Sequence, residues 1–474
     1  MKSDVEKLID RIIDRVSVNL RETGFDAGDW VRSIVSMDRF TKFYAFYGIT
    51  LHHSLSFRFS RSALAGTYFL GKCDVDHSVL YKSDIRGDEL KSQGDIFPFE
   101  GRDIPVHKDE TIRIQDSFLI RTLVHNYSHD PENLEEFGIR NTIAMDYSNI
   151  HGSPVEGAFI APFATIDLTT IHDCIIGPFS YVQAGELEHA TVKSGMVWVR
   201  KHPDFDFSYR FDPEILKRYL EVEPGQPHQG IFWDFFRERQ EDFQEVYQIW
   251  KSEPTLEEPE GASLSPYSVV KGECSLDKNV LVAQRAYLQD ARLGVGANAQ
   301  ENCYIIGSTL AGYNITAHGA KVVHANLGKN GFVGFNSFIR GSKQAPLNVG
   351  EGVIFMPHTI VDAREPLEIP SNTIVWGYIA GSGDLKENSL PVEEFRKLRG
   401  FFSLGRLRFS GKGSAFVEAF EQRLNHILEA NGAFATPGEN KGHAQKNKNI
   451  SFNTIQPYPA GEERGIYPTI IIKP

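Results

Sequence analysis

Residues 292–320 read RLGVGANAQENCYIIGSTLAGYNITAHGA. Apolar or small side chains recur there at Leu293, Ala299, Ile305, Ala311 and Ala317, a spacing of six. An amphipathic helix places such residues three and four apart, and a half-buried strand places them two apart. Six fits neither. It fits a coil that turns after each short strand and sends one side chain inward per face, so that stacked coils bury a continuous core. Two further registers follow: Leu327, Val333 and Ile339, then Val349, Phe355, Val361 and Leu367. A glycine often follows the inward residue, as in LGVGAN, LGKNGF, VGFNSF and VGEGVI. A small or β-branched residue often sits four positions on, at Ala297, Ser337, Val353 and Thr359.

The same pattern appears earlier. Ile160, Ile166, Ile171, Ile176 and Val182 are spaced by six, five, five and six. Around the two blocks the composition is helical. Ser3 caps a stripe of Val5, Leu8, Ile9, Ile12, Ile13 and Val16, and Gly24 ends it. Between the blocks, FDPEILKRYLEVEPGQPHQGIFWDFFRERQEDFQEVYQIW reads as two or three helices split by PGQP, and SEPTLEEPEG as an acidic linker. The period stops after Gly383. PVEEFRKLRG and SAFVEAFEQRLNHILEANG read as helices, the second with a stripe of Phe416, Phe420, Leu424, Ile427 and Leu428. PGENKGHAQKNKN is a polar tail, and YPTIIIKP suits a final strand. The expected organisation is an N-terminal helical segment (1–50), a first repeat block (51–205), a helical insertion with linker (206–260), a second block (261–385) and C-terminal helices with the tail (386–474).

A chain of 474 residues suits two or three units or one elongated repeat body. Its hydrophobic fraction of 41% is ample for a core. Net charge of −12 argues against nucleic acid or an anionic membrane as partner. No apolar run approaches the ~20 residues of a membrane span. The opening MKSDVEKLIDRIID lacks the apolar stretch of a secretory signal, so a cytoplasmic location is expected. Cys73, Cys174, Cys274 and Cys303 form no C-x-x-C pair and read as reduced, mostly buried thiols.

The [LIV]-G-x-x-[STAV]-x pattern resembles the hexapeptide-repeat transferase superfamily, over roughly residues 60–200 and 265–380. The segment IPSNTIVWG, 369–377, is similar to the one that closes the coil in many members. The resemblance implies a mainly β fold, a left-handed parallel β-helix of hexapeptide repeats, with helical N-terminal, inserted and C-terminal segments. It implies a homotrimer with sites in the clefts between prisms. Function is less determined, because this coil carries acyltransferases, γ-class carbonic anhydrases and non-catalytic scaffolds.

Two local resemblances point in different directions. IHDCIIG, 171–177, is similar to the catalytic segment of UDP-N-acetylglucosamine acyltransferases, which puts His172 in the place of a general base. Acyl transfer from a thioester needs such a base to take a proton from the attacking hydroxyl or amine, and imidazole suits that work at neutral pH. His318 and His324, in AHGAKVVHAN, are the other candidates. The basic run FRKLRGFFSLGRLRFSGKG offers Arg396, Lys397, Arg399, Arg406 and Arg408 to a phosphate of coenzyme A. Arg86-Gly87-Asp88, Gln115-Asp116 and QENCYI at 300–305 resemble γ-class carbonic anhydrases instead. That family's first zinc histidine falls on Arg121, and its last two are five apart, where His318 and His324 are six apart; His125 could substitute. Zinc needs three converging protein ligands, and three are found only by free choice among 16 histidines, so no metal is expected.

The leading expectation is an acyltransferase that moves an acyl group from a coenzyme A thioester or an acyl carrier to a small-molecule acceptor. A γ-carbonic-anhydrase-like metalloprotein and a non-catalytic scaffold are the alternatives.

Overall fold

The computed structural model describes residues 3–31, 39–41, 45–53, 55–99, 101–126, 130–243, 256–448, 450–455 and 465–473. The end of the inter-block stretch (244–250) and the start of the acidic linker (251–255) lie outside them. The described chain is mainly β, built from short parallel strands with few helices. It divides into two compact units: Met1–Met196 with Pro213–Gly230 and Ile450–Pro474, and Val197–Asp212 with Ile231–Asn449.

In the first unit three columns of parallel strands form the faces of a coil. One column includes Val79–Tyr81, Phe118–Ile120, Ile143–Ala144, Phe159–Ile160 and Ile175–Ile176. A second includes Asp84–Arg86, Leu123–His125, Asn149–His151, Thr165–Asp167 and Tyr181–Gln183. The third includes Val155–Glu156, Thr169–His172 and Gly185–Glu188. The inward residues Ile160, Ile166, Ile171, Ile176 and Val182 are fully buried. Their steps of six, five and five close one coil, since Ile160 lies opposite Ile176 and Ile166 opposite Val182.

The helix Asp4–Asn19 lays its buried stripe, Val5 to Val16, on the outer side of the first column, beside Tyr81, Phe118, Ile143 and Phe159. A capping box between Ser3 and Glu6 holds its start. An edge strand offers unpaired backbone groups. Here Ser451–Ile455 pairs antiparallel with Ala45–Ile49, and Ile470–Ile472 with Phe57–Phe59.

The second unit repeats the architecture. Its inward residues Ile305, Val322, Ile339 and Val361 lie opposite one another on successive coils. Two of these steps are 17 residues, so the strict spacing of six does not persist. Ala311 is exposed, and the inward positions are Leu310 and then Thr316. One corner of each coil is a residue shorter than the other two. The closing segment behaves as its sequence suggests: Thr373–Val375 is covered by the antiparallel Ser389–Pro391. The helices Val392–Lys397 and Gly413–Asn431 follow, and Gly432 ends the second in a left-handed cap.

The short helix Ile231–Arg237 covers an outward aromatic column of this unit. Phe232 and Phe235 lie against Phe338, and Phe235 and Phe236 against Tyr304. Lys321, on the strand between Tyr304 and Phe338, is buried there with its ammonium 5.5 Å from the Phe232 ring and 5.0 Å from Phe236. Burial pushes its pKa down from 10.5 to about 7. The unfolded chain therefore binds the extra proton between pH 7 and 10.5, and this group adds stability as pH rises through that window. Lys321→Met is expected to raise the melting temperature at pH 7 and below. The advantage should shrink as pH climbs towards the ordinary lysine range, which thermal unfolding at several pH values will check.

Candidate functional site

Among the described residues, His318 and His151 each bring Nδ1 to 2.8 Å from a carboxylate oxygen, one in each unit.

In the second unit His318 follows the strand Ile315–Thr316 at a corner of the coil. Its Nδ1 lies 2.8 Å from Oε2 of Glu301, and both side chains are almost fully buried. The pairing comes from coil stacking. Gly319 N donates to the Glu301 carbonyl at 2.9 Å, and Asn336 N to the His318 carbonyl at 3.1 Å, so the corners of three coils sit in a column. Phe335 continues the column with its ring 5.4 Å from the imidazole. Gly319 has a φ of +71°, and a Cβ there would meet Asn336 Oδ1 at 2.4 Å. The left-handed φ favours glycine there, and a larger residue would also displace the Asn336 side chain.

In the first unit the outward residues of the second strand column are polar yet largely buried: Arg86, His125, His151 and Asp167, in register on successive strands. His151 Nδ1 lies 2.8 Å from Asp167 Oδ1. Tyr181 donates its hydroxyl to the other oxygen of Asp167. Arg86 holds Asp88 in a bidentate pair through Nε and Nη2. His125 meets His151 edge to face, with ring centroids 5.0 Å apart.

The remaining residues singled out in the sequence are placed differently. His172 ends the strand Thr169–His172, half-buried between Glu156 and Glu188 of the neighbouring strands. Its neighbour Cys174 points into the core, where its thiol donates to the His172 carbonyl and burial raises its pKa. His324 is exposed, at a left-handed position packed over Gly307. Cys303 is buried and pushed up to about 12, so it is no thiolate.

In the basic run, Arg396 pairs with Glu421 at 2.7 Å and Arg406 with Asp212. Arg399 and Arg408 give their guanidinium hydrogens to nearby backbone carbonyls, and Lys397 is exposed. Of the carbonic-anhydrase-like set, Asp116 pairs with Arg11 at 2.5 Å. Arg121 pairs with the buried Asp146.

Sequence reasoning missed Glu301, His151 and Asp167 as partners. The available signal was the coil length: Glu301 precedes His318 by 17 residues, one coil of this unit, and His151 precedes Asp167 by 16, one coil of the other.

The family profile "Hexapeptide repeat including loop" matches residues 102–224. A crystal structure of a provisionally named acetyltransferase from Desulfovibrio desulfuricans G20 is 51% identical, covers 100% of both chains and superposes with a TM-score of 0.93. The chain belongs to the hexapeptide-repeat transferase superfamily. Two remoter structures are a hexapeptide transferase family protein from Anaplasma phagocytophilum (12% identity, 35% of this chain and 90% of that one, TM-score 0.22) and the UDP-N-acetylglucosamine acyltransferase of Campylobacter jejuni (12%, 65% and 90%, TM-score 0.16). At those scores neither adds to the argument. No curated protein matches the sequence.

Within this hexapeptide-repeat transferase the His318 corner depends on its glycine. Gly319→Ala is expected to cost the second unit ~1–2 kcal/mol, the penalty of a left-handed non-glycine residue. Gly383→Ala, on the helix Ser382–Glu387 with open space around it, should be neutral or stabilising. Chemical unfolding of both variants against the parent checks the contrast.

Proposed function

We propose that this protein transfers an acyl group from a thioester, either coenzyme A or an acyl carrier, to a hydroxyl or amine of a small molecule, with His318 as general base. The observation that carries the reading is the buried His318–Glu301 pair at 2.8 Å. The 51%-identical acetyltransferase supports the reaction class.

Glu301, with Oε2 2.8 Å from Nδ1, offsets the charge of the imidazolium that forms. The imidazole takes the proton of the acceptor as its oxygen or nitrogen attacks the thioester carbonyl. A backbone N–H at a coil corner suits the oxyanion. The sulfur–carbon bond then breaks, and the imidazolium returns its proton to the departing thiolate. His172 and His324 remain the alternatives for the base. Arg399 and Arg408 direct their guanidinium groups to carbonyls rather than carboxylates, which leaves their charge available to the donor's phosphates. Arg396, Lys397 and Arg406 add to the same basic surface.

Left-handed coils, a cytoplasmic location and a trimer belong to the same reading. Light scattering should then give three times the 53.3 kDa chain mass; a single chain mass at micromolar concentration excludes the trimer.

His318→Ala is expected to lower acyl transfer by about 10²–10⁴-fold with the fold intact, the usual worth of a positioned base. His172→Ala and His324→Ala should stay near the parent rate. Thioester turnover of the three variants side by side decides the assignment. Undiminished transfer in His318→Ala, or loss confined to His172→Ala, moves the base.

A further inference from the structure

The outward aromatic column of the second unit is covered by a segment that the coil does not need for its own hydrogen bonds. Tyr304, Lys321 and Phe338 lie in register on neighbouring parallel strands, paired within that ladder. The cover, residues 231–243, meets the column through side chains. Phe232, Phe235 and Phe236 lie on Tyr304 and Phe338, and the Phe243 ring is 6.0 Å from that of Tyr287. Asp242 adds a polar clasp: one oxygen is 2.8 Å from Lys271 Nζ and the other 2.8 Å from the Tyr287 hydroxyl. The helix within the cover, Ile231–Arg237, has seven residues, too few to persist in water by itself. The cover can therefore lift while the ladder beneath it stays closed.

Lys321 lies under it, 1% exposed, with its ammonium position against the Phe232 and Phe236 rings. Burial disfavours the charged form and holds the pKa at about 7. Lifting the cover returns the amine to water and to its ordinary value of 10.5, so a bound proton favours the lifted form. The surrounding groups do not cancel this between those values. Cys303, on the preceding coil, is pushed up to about 12 by burial and stays neutral. Burial, with Asp242 beside it, raises Tyr287 as well. Burial opposes ionisation of Asp242, but hydrogen bonds from Lys271 and Tyr287 outweigh it and hold the carboxyl below its usual range. Arg239 lies over the Phe235 ring at 3.9 Å, and Arg340 pairs with Asp362 at 2.7 Å. Asp234 and Arg237 pair at 3.6 Å on the exposed side of the helix. The guanidinium groups keep their charge throughout.

We propose that residues 231–243 form a proton-operated lid: protonation of Lys321 lifts them from the column and bares Tyr304, Phe338 and the lysine itself. The lid opens as pH falls. It goes beyond the acyl-transfer reading and does not depend on it.

Hydrogen exchange on the full chain tests the lid, read as protection factors of the peptide 231–243 and of the strand Phe338–Arg340 beneath it. Between about pH 7.5 and 9.5 the protection of the lid should rise about tenfold per unit. At each pH it should stay well below that of the strand. Lys321→Met should leave the lid equally protected across the range. Asp242→Asn should lower its protection at every pH and keep the slope, because the carboxylate it removes does not titrate there. A parent lid whose protection is indifferent to pH overturns the proposal, whether or not either variant folds. Equal protection of lid and strand also overturns it, since the second unit then opens as a whole. A slope that survives in folded Lys321→Met, or vanishes in folded Asp242→Asn, overturns the assignment to Lys321.

Discussion

Each strand of a coil must give its backbone N–H and C=O groups to the strands before and after it, because a buried backbone group without a partner costs more than the coil could recover. That requirement fixes one strand of every coil opposite one strand of the next, and so fixes which side chains can meet. The corners follow from it. A coil that turns three times within 16 or 17 residues needs left-handed backbone at its corners, and Asn279, Asn302, Asn330 and Asn336 occupy such positions. Asparagine tolerates that conformation better than other non-glycine residues. Where even asparagine would collide, as beside His318, the chain uses glycine.

Stacking also builds the two histidine–carboxylate pairs. Neighbouring strands lie ~4.8 Å apart, so side chains at the same position of successive coils are within hydrogen-bond reach. Glu301 with His318 and His151 with Asp167 are each one coil apart. Neither pair needs a loop to bring it together. His151 and Asp167 lie on ladder strands, while Glu301 and His318 lie at corners stacked by backbone hydrogen bonds from coil to coil. Rigidity of this kind is what a base requires of its support.

The fold was legible because one inward residue per face recurs over many coils in each block, and a register error of one residue still leaves enough apolar positions to betray the pattern. Ile160 to Val182 were read in their true steps. The second block was read one residue long at Ala311, because Leu310 and Ala311 are both plausible inward residues and only the backbone register separates them. The site suffered from the same ambiguity. Once the coil is taken as 18 residues, Glu301 no longer falls beneath His318. The HDC run around His172 drew attention by its spelling, while His151 lay in an unremarked stretch, SNIHGSP at 148–154, where nothing local distinguishes it from a surface histidine.

Outward faces of a coil normally choose between two solutions. They meet water with polar side chains, or they are covered and become apolar. The second unit takes the apolar solution where the helix Ile231–Arg237 lies on Tyr304 and Phe338, and a single lysine within it loses much of its affinity for a proton. The first unit does neither on its second column: Arg86, His125, His151 and Asp167 are outward, polar and largely buried. A leucine or valine at those positions would keep the same ladder and spare the desolvation of a guanidinium and a carboxylate. The backbone register does not ask for these residues, and the core does not contain them. Each group there sits one strand spacing from the next, so a charge brought to any of them is felt by its neighbours.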